Sequence, residues 1–399
     1  MNKIIILVLF IINTVYASIG TNEDLQILKD LGLESSFIKD SELNSIYNDY
    51  SSKNKIKYYR NMLKKSSLNV QIVSAEIEKE NLPSTILFIP IIESSFVNQT
   101  KGKKLPGGLW QIIPSTAKHL KLRNDEFVDE RLDLIKSTDS ASSYLKKYHK
   151  KFDKWYLAIL AYNCGEGKVV EAITRASLDK YLEENPNKNS GVTRSYKRVI
   201  EDYQKTKKGI SKLYTLYSEL ESLEVPFDFE YLIKNNQQKQ YLPDSSLSYI
   251  KKLVVFSILS NKGLFENTQK STYKLEKVKV PKGVSLKTIA NAISMNSSEL
   301  EKINKHLKKN IPTEDSKAYN FYIPKSKLEL YNKKIAIMKP IIENKKTKMK
   351  SKAIVYKVKK GDSFESIAKA HKISVKKLKS DNNKNSNLIK IGESIDIYK

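Results

Sequence analysis

One carboxylate in this sequence sits in unusually apolar company. The run Ser84-Thr-Ile-Leu-Phe-Ile-Pro-Ile-Ile-Glu-Ser-Ser-Phe96 holds a single ionisable residue, Glu93. On a helix, Ile86, Ile89 and Phe96 share its face, and Phe88, Ile89, Ile91 and Ile92 make the preceding turn apolar all round. A carboxylate placed there loses water, so its pKa rises and the protonated acid persists nearer neutral pH. A general acid needs that property to hand a proton to the leaving oxygen of a glycoside. The same pattern also suits a buried glutamate satisfied by a lysine or a backbone cap, and such pairs perturb pKa values as well.

Two further segments bear on that choice. Gly107-Gly108-Leu109-Trp110-Gln111 joins a flexible loop to an aromatic platform and a neutral amide. Ala161-Tyr162-Asn163-Cys164-Gly165-Glu166-Gly167 ends an apolar helix with Tyr and Asn side by side. Trp and Tyr faces suit the C–H surfaces of sugars, while Gln and Asn match hydroxyl and N-acetyl groups without adding charge. Each segment alone reads equally well as a core aromatic beside a turn.

In order along the chain, Glu93-Ser94, Gly108–Gln111, Ala161–Asn163 and Tyr249 within Ser248-Tyr249-Ile250 resemble the catalytic domain of the family 1 lytic transglycosylases. These are goose-lysozyme-like enzymes that cut peptidoglycan glycan strands. Phe127-Val-Asp-Glu-Arg-Leu-Asp133, Lys136-Ser-Thr138 and Gly165-Glu-Gly167 match the subgroup called membrane-bound lytic murein transglycosylase D. The resemblance implies that Glu93 protonates the glycosidic oxygen between N-acetylmuramic acid and N-acetylglucosamine while the substrate's N-acetyl oxygen stabilises the developing cation. Glu93, now ionised, would take the proton of the sugar's own C6 hydroxyl and leave a 1,6-anhydro end. Ser94, Gln111, Tyr162, Asn163 and Tyr249 would position the sugar, and neither a metal nor an organic cofactor is needed.

Two rivals stand beside this reading. A hydrolase on the same scaffold would need a further group to hold water, with Asp125, Glu126, Asp129, Glu130, Asp133 and Glu166 as candidates. A non-catalytic wall binder would have no need of a buried acid. Cys164 reads as a buried thiol, since no histidine is adjacent to it in sequence.

The C-terminal part repeats. A shift of 78 residues carries Lys279, Val280, Lys282, Gly283, Ser285, Ile289 and Ala290 onto Lys357, Val358, Lys360, Gly361, Ser363, Ile367 and Ala368, and Leu300 and Asn304 onto Leu378 and Asn382. Recurrence at one offset marks a repeated unit, here strand, turn, helix, helix, strand. Asp362 with Glu365 would cap the first helix of the second unit, and Ser374 the next. The units resemble LysM modules, which bind N-acetylglucosamine-containing glycans. The first has Val284 where the second has Asp362, and a longer stretch before Tyr322-Ile323-Pro324.

The rest of the chain must position these groups. Residues 1–17 read as a secretory signal peptide: one lysine, a nine-residue apolar run from Ile4 to Ile12 that is too short to span a membrane, then Val15-Tyr16-Ala17. The absence of a cysteine after that run excludes a lipid anchor. Residues 18–70 form a polar helical region and 71–265 a mainly α, lysozyme-like (goose-type, SLT) catalytic domain. A degenerate LysM-like module of α+β type (βααβ) covers 273–325, a lysine-rich linker 326–352 and a second such module 353–399.

Within the catalytic domain Ala141, Tyr144, Leu145, Tyr148 and Phe152 repeat at helical spacing, and Trp155–Tyr162 is apolar nearly all round. The chain of 399 residues carries 71 Lys+Arg against 44 Asp+Glu, a net charge of +27. That surplus suits an anionic wall surface, while no arginine-rich groove favours nucleic acid. The expected partner is peptidoglycan in the periplasm or at the cell wall, with no membrane anchor after signal cleavage. A single cysteine excludes an intrachain disulfide or a multi-thiolate zinc site.

Overall fold

The computed structural model describes residues 19–187, 191–223, 226–264, 274–280, 284–308, 319–335, 354–382, 384 and 386–398. The signal segment expected at 1–17 and residues 336–352 of the expected linker lie outside them.

The polar N-terminal region forms four helices, α1 (Asn22–Leu31), α2 (Ser41–Tyr50), α3 (Lys53–Lys65) and α4 (Ser67–Lys79). Thr21 and Asp24 make a reciprocal capping box on α1, and Asp40 caps α2 by accepting from the Leu43 amide at 2.7 Å. Their apolar stripes, with Leu28, Leu31, Leu43 and Leu63 fully buried, enter the same core as the segments that follow. A 3₁₀ turn over Ser84–Phe88 leads into the short α5 (Ile89–Ser94), and α6 (Pro114–His119) follows the glycine loop.

Three longer helices, α7 (Leu134–Phe152), α8 (Trp155–Cys164) and α9 (Glu166–Glu184), pack in sequence, and Tyr156–Ala161 of α8 are buried on every side. Next come α10 (Gly191–Thr206) and α11 (Ile210–Glu221), which fold back on α9 around Val170, Leu178, Ile200, Tyr203, Leu213 and Leu216. This pair is a satellite core, and it accounts for the length of chain between the Ala-Tyr-Asn segment and Tyr249. After α12 (Phe229–Lys239), α13 (Asp244–Asn261) runs through the middle of the domain. Its Ile250, Leu253, Val254 and Ile258 are fully buried, and it touches α1, α2, α5, α8 and the 84–88 turn.

Each C-terminal unit is a two-stranded antiparallel ribbon with two short helices. In the first, β1 (Leu275–Lys277) and α14 (Leu286–Ala292) precede α15 (Ser297–Ile303) and β2 (Tyr322–Pro324), with Glu276 opposite Ile323. A further helix, α16 (Leu328–Ile335), lies in the stretch expected as linker. It belongs to the module because Tyr331 is buried in the module core and donates its hydroxyl to the Lys279 carbonyl. The second unit has β3 (Ile354–Lys357), α17 (Phe364–Ala370), α18 (Val375–Asp381) and β4 (Ser394–Ile397), with Ile354 opposite Ile397.

Asn304 and Asn382, related by the 78-residue shift, do the same work: each side chain bonds both the amide and the carbonyl of one residue on the last strand. These residues are Tyr322 at 2.8 and 2.8 Å and Asp396 at 2.7 and 2.7 Å. Ser374 caps α18 as expected, but α17 is capped by Ser363, one residue later than Asp362. The Asp362 carboxylate is taken instead by the Lys359 amide at 2.7 Å and the Tyr356 hydroxyl at 2.9 Å, which close the turn.

Lys251 of α13 is 2 % exposed, and its ammonium lies 3.0 Å from Asp40 and 2.6 Å from Glu42 of α2. Removing its partners strands a buried charge, whereas removing the charge leaves a packable stem. Asp40→Asn with Glu42→Gln, which keeps the α2 cap, should therefore lower stability by about 3 kcal/mol. Lys251→Met should cost clearly less, and denaturant midpoints of the two variants decide the order.

Candidate active site

Glu93 is the penultimate residue of α5. The helix stops two residues short of Phe96 because Ser95 and Phe96 both adopt left-handed backbone, at φ 53° and 55°. Non-glycine residues seldom do this, and two in succession beside an ionisable group are a local strain that the surrounding core must hold. Phe96 stays fully buried and anchors the turn.

Glu93 is half-buried, and among the described residues one hydrogen bond reaches its carboxylate: the Tyr249 hydroxyl donates to Oε1 at 2.9 Å. Burial raises the Glu93 pKa above the usual carboxylate value, and the Tyr249 bond opposes the rise by favouring the ionised form. Burial, with the neighbouring Glu93 charge, pushes the phenols of Tyr162 and Tyr249 well above their ordinary range, so both remain donors.

A cleft of about 440 Å³ opens at Glu93 and is lined by Gln111, Thr116, Tyr144, Tyr162, Asn163 and Cys164 among others. Tyr162 donates its hydroxyl to the Trp110 carbonyl, and its ring meets Trp110 and Tyr144 edge-on at 6.3 and 5.9 Å. Asn163 accepts at Oδ1 from Ser246 at 2.6 Å. Gln111 has φ 46° and donates from Nε2 to the Gly108 carbonyl at 2.7 Å. The Cys164 thiol donates to the Leu160 carbonyl at 3.2 Å, and burial keeps it protonated.

Glu93, Gln111, Tyr162 and Asn163 thus line one cleft, and Tyr249 joins them from behind through its bond to Glu93. Ser94 stands behind it: its hydroxyl is 2.8 Å from the Leu109 carbonyl and 3.0 Å from that of Pro90, so it ties α5 to the glycine loop. Trp110 is a correction. It is fully buried, with Nε1 donating to Thr138 at 3.0 Å, and so serves as core beneath the cleft, not as a sugar platform. Ser246 was not legible as a site residue: it is a lone serine, and only its place one helical turn before Tyr249 on α13 brings it to Asn163.

The glycine loop is held firmly. Fully buried Arg131 bonds Asp129 through Nε at 2.9 Å and Nη2 at 2.8 Å, and its Nη1 reaches the carbonyls of Leu105 and Ile112. Gly108, at φ 79°, cannot be replaced, since a Cβ there would lie 1.8 Å from the Arg131 carbonyl oxygen.

The other acidic candidates are engaged away from Glu93. Asp125 closes a turn and pairs with Arg123 at 2.8 Å, Asp129 holds Arg131, and Glu130 pairs with Lys136 at 2.5 Å. Asp133 caps α7, and Glu126 is exposed on its loop. Glu166 accepts from Tyr148 and Tyr214 at 2.7 Å each and from Lys151 at 2.5 Å, which lowers its pKa despite burial.

Three family models match parts of the chain. The family model described as "Transglycosylase SLT domain" matches residues 71–184. "Lytic transglycosylase MltD, LysM-like domain" matches 274–339, and "LysM domain" matches 356–397. A relative from Alteromonas sp. (strain M-1), named "Putative tributyltin chloride resistance protein", is 42% identical over 103 residues, 26% of this chain and 50% of its own. Membrane-bound lytic murein transglycosylase D of Escherichia coli (strain K12) is 26% identical over 334 residues, 82% of this chain and 62% of its own. The chain therefore spans between half and two thirds of the length of these relatives. The chain thus carries an SLT domain followed by an MltD-type LysM-like domain and a LysM domain, and over 82% of its length it is similar to membrane-bound lytic murein transglycosylase D.

Proposed function

We propose that this protein is a peptidoglycan lytic transglycosylase that cleaves the β-1,4 bond between N-acetylmuramic acid and N-acetylglucosamine without water. The observation that carries the reading is that Glu93 is the one carboxylate among the described residues lining the cleft, and the rest of the lining is neutral. A water-activating second carboxylate, which most glycosidases use, has no candidate there.

Glu93 acts first as the acid, the form that burial favours by raising its pKa. It gives its proton to the glycosidic oxygen as the bond to C1 of the muramic sugar breaks. The substrate's own N-acetyl oxygen stabilises the cation at C1. The C6 hydroxyl oxygen then bonds to C1, its proton passes to Glu93, and the anhydro ring closes with the acid regenerated. Tyr249 serves the intermediate stage, since its hydroxyl favours the ionised carboxylate that must act as base. The two amides have opposite polarity. Ser246 occupies the Asn163 oxygen and leaves its NH₂ to donate to an acyl or hydroxyl oxygen. The Gly108 carbonyl occupies Gln111 Nε2 and leaves its oxygen to accept. Ser94 acts one layer out, by fixing the loop that carries Gln111.

The enzyme works in the cell envelope. Its second LysM-type unit holds it on the wall through glycan contacts that include Leu388 and Ile391, exposed at 81% and 70%. Such large apolar side chains in the open suit a ligand surface.

Digesting purified peptidoglycan and weighing the fragments tests the reaction directly. The wild type should release anhydro-ended fragments, and Glu93→Gln should be slower by about a hundredfold or more. Fragments heavier by one water would make the enzyme a hydrolase. The pH profile tests the proton account. Activity should fall as pH rises through the raised Glu93 pKa, and Tyr249→Phe should move that limb to higher pH by removing a bond that favours the carboxylate. Stability gives a third check. A carboxyl whose folded pKa lies above its unfolded value costs stability as pH rises from the unfolded pKa through the folded one, and the loss persists above. Glu93→Gln should accordingly melt higher than wild type at pH 7, with the gap closing as pH falls below the ordinary carboxylate range.

A further inference from the structure

We propose that the first C-terminal module, described over residues 274–280, 284–308 and 319–335, is a clamp on the active-site loop and not a second wall-binding unit. The proposal rests on the functional reading above for its kinetic consequence, but not for the coupling itself.

The module is docked on the catalytic domain through its backbone. Val128 and Leu307 form an antiparallel bridge, with the Asp129 amide donating to the His306 carbonyl and the Lys308 amide to the Phe127 carbonyl, each at 2.8 Å. The Lys308 ammonium adds a bond to Asn124 at 2.8 Å. Beside the bridge, fully buried Asp133 receives Asn320 Nδ2 at 3.0 Å and the Tyr322 hydroxyl at 3.2 Å on Oδ2, while its Oδ1 caps α7. A buried carboxylate needs such donors, and both of these come from the module.

The segment gripped in this way is the one that holds the cleft. Asp129 fixes Arg131, which bonds the carbonyls of Leu105 and Ile112 at the two ends of the glycine loop. Leu132 accepts from buried Asn98, two residues beyond the strained Ser95-Phe96 turn. The glycine loop carries Gln111 into the cleft and offers the Leu109 carbonyl to Ser94, the neighbour of Glu93. Docking therefore restrains the loop through two layers of side chains.

The second module spends the corresponding residues differently. The 78-residue shift takes His306 onto Lys384, which borders an open cleft of about 430 Å³ with Leu388, Lys390 and Glu393. After the second helix, Lys384 pairs with Glu393 of its own unit, whereas the matching stretch of the first unit bonds the catalytic domain.

The test uses the full-length protein with Lys308→Pro, Asn320→Ala and Tyr322→Phe combined, which deletes a bridge N–H and both donors to Asp133. Hydrogen exchange at Asp129 reads release of the module, and exchange at Gly107 and Ile112, which bond each other across the loop, reads the clamp. We expect loop protection to fall about tenfold or more with release, and kcat to fall about tenfold or more with KM changed less than about twofold, since small misplacements of positioning groups are costly. Pelleting with the wall should not change. Val128 and Leu307 face each other as a non-hydrogen-bonded pair, a separation a disulfide can bridge. Adding Val128→Cys and Leu307→Cys to the triple variant should restore loop protection and kcat when oxidised, and lose both when reduced. Release without change at Gly107 and Ile112, or lost pelleting with kcat intact, overturns the clamp. If the loop loosens as expected while the wild type yields no anhydro fragments, the clamp stands and the proposed reaction falls.

Discussion

The proposed reaction asks for a general acid that later serves as a base, and such a group has to be kept dry without being paired to a cation. Glu93 meets that requirement through burial against apolar side chains and one neutral donor, the Tyr249 hydroxyl. A cation in place of that phenol would hold the carboxylate ionised and remove the acid. The hydrogen bond joins residues 156 apart, so its geometry depends on where α13 lies relative to α5. Hence the apolar wrapping of α13, and hence the N-terminal helices, which cover its far side and neutralise Lys251 two residues beyond Tyr249. None of their residues is among those lining the cleft, yet the helix they support supplies both Tyr249 and Ser246.

The second constraint is on the glycine loop. Gln111 and the carbonyls of Leu109 and Trp110 must meet Glu93's helix and Tyr162 at fixed points, while the loop itself is short and turns through left-handed backbone at Gly108 and Gln111. A loop of that kind has few side chains of its own to pack. Arg131 supplies the missing order from behind: its planar guanidinium reaches a carboxylate and two carbonyls at once, which a lysine could not do. Gly107 and Gly108 are the residues that allow the loop to lie so close to it.

How far the sequence disclosed this depends on the distance over which each signal acts. Glu93 was legible because an isolated carboxylate in an apolar run is a local contradiction, and Asn163 and Gln111 because polar amides end apolar or glycine-rich segments. Trp110 misled because residue type cannot say which face of a loop is solvated, and here the indole finds its donor's partner in Thr138 of α7. Tyr249 was reachable only by motif order, since the α10–α11 pair inserts its own small core before it. Ser246 gave no signal at all: its role exists only in three dimensions. The caps were legible to within a residue. Asp362 lost the cap of α17 to Ser363 because the turn amide of Lys359 and the Tyr356 hydroxyl compete for its carboxylate.

The charge of the chain makes the same physical point from the other side. The protein carries +27, with lysines on most of its elements, yet no lysine or arginine is among the described residues lining the cleft. An ammonium there would attract an anionic ligand, but it would also pair with Glu93 and draw its pKa down by the same attraction. Recognition inside the cleft must then rest on neutral donors and acceptors, which is the case for Asn163, Gln111 and Tyr162, and hydroxyl and amide groups are the ligands that such a set can read. Long-range attraction to an anionic wall can reside on the outer surface, where a Debye length of about 8 Å at physiological ionic strength screens the exposed lysines from the carboxyl group. Separating the two roles in space lets a strongly basic protein keep a carboxyl group whose pKa burial has raised.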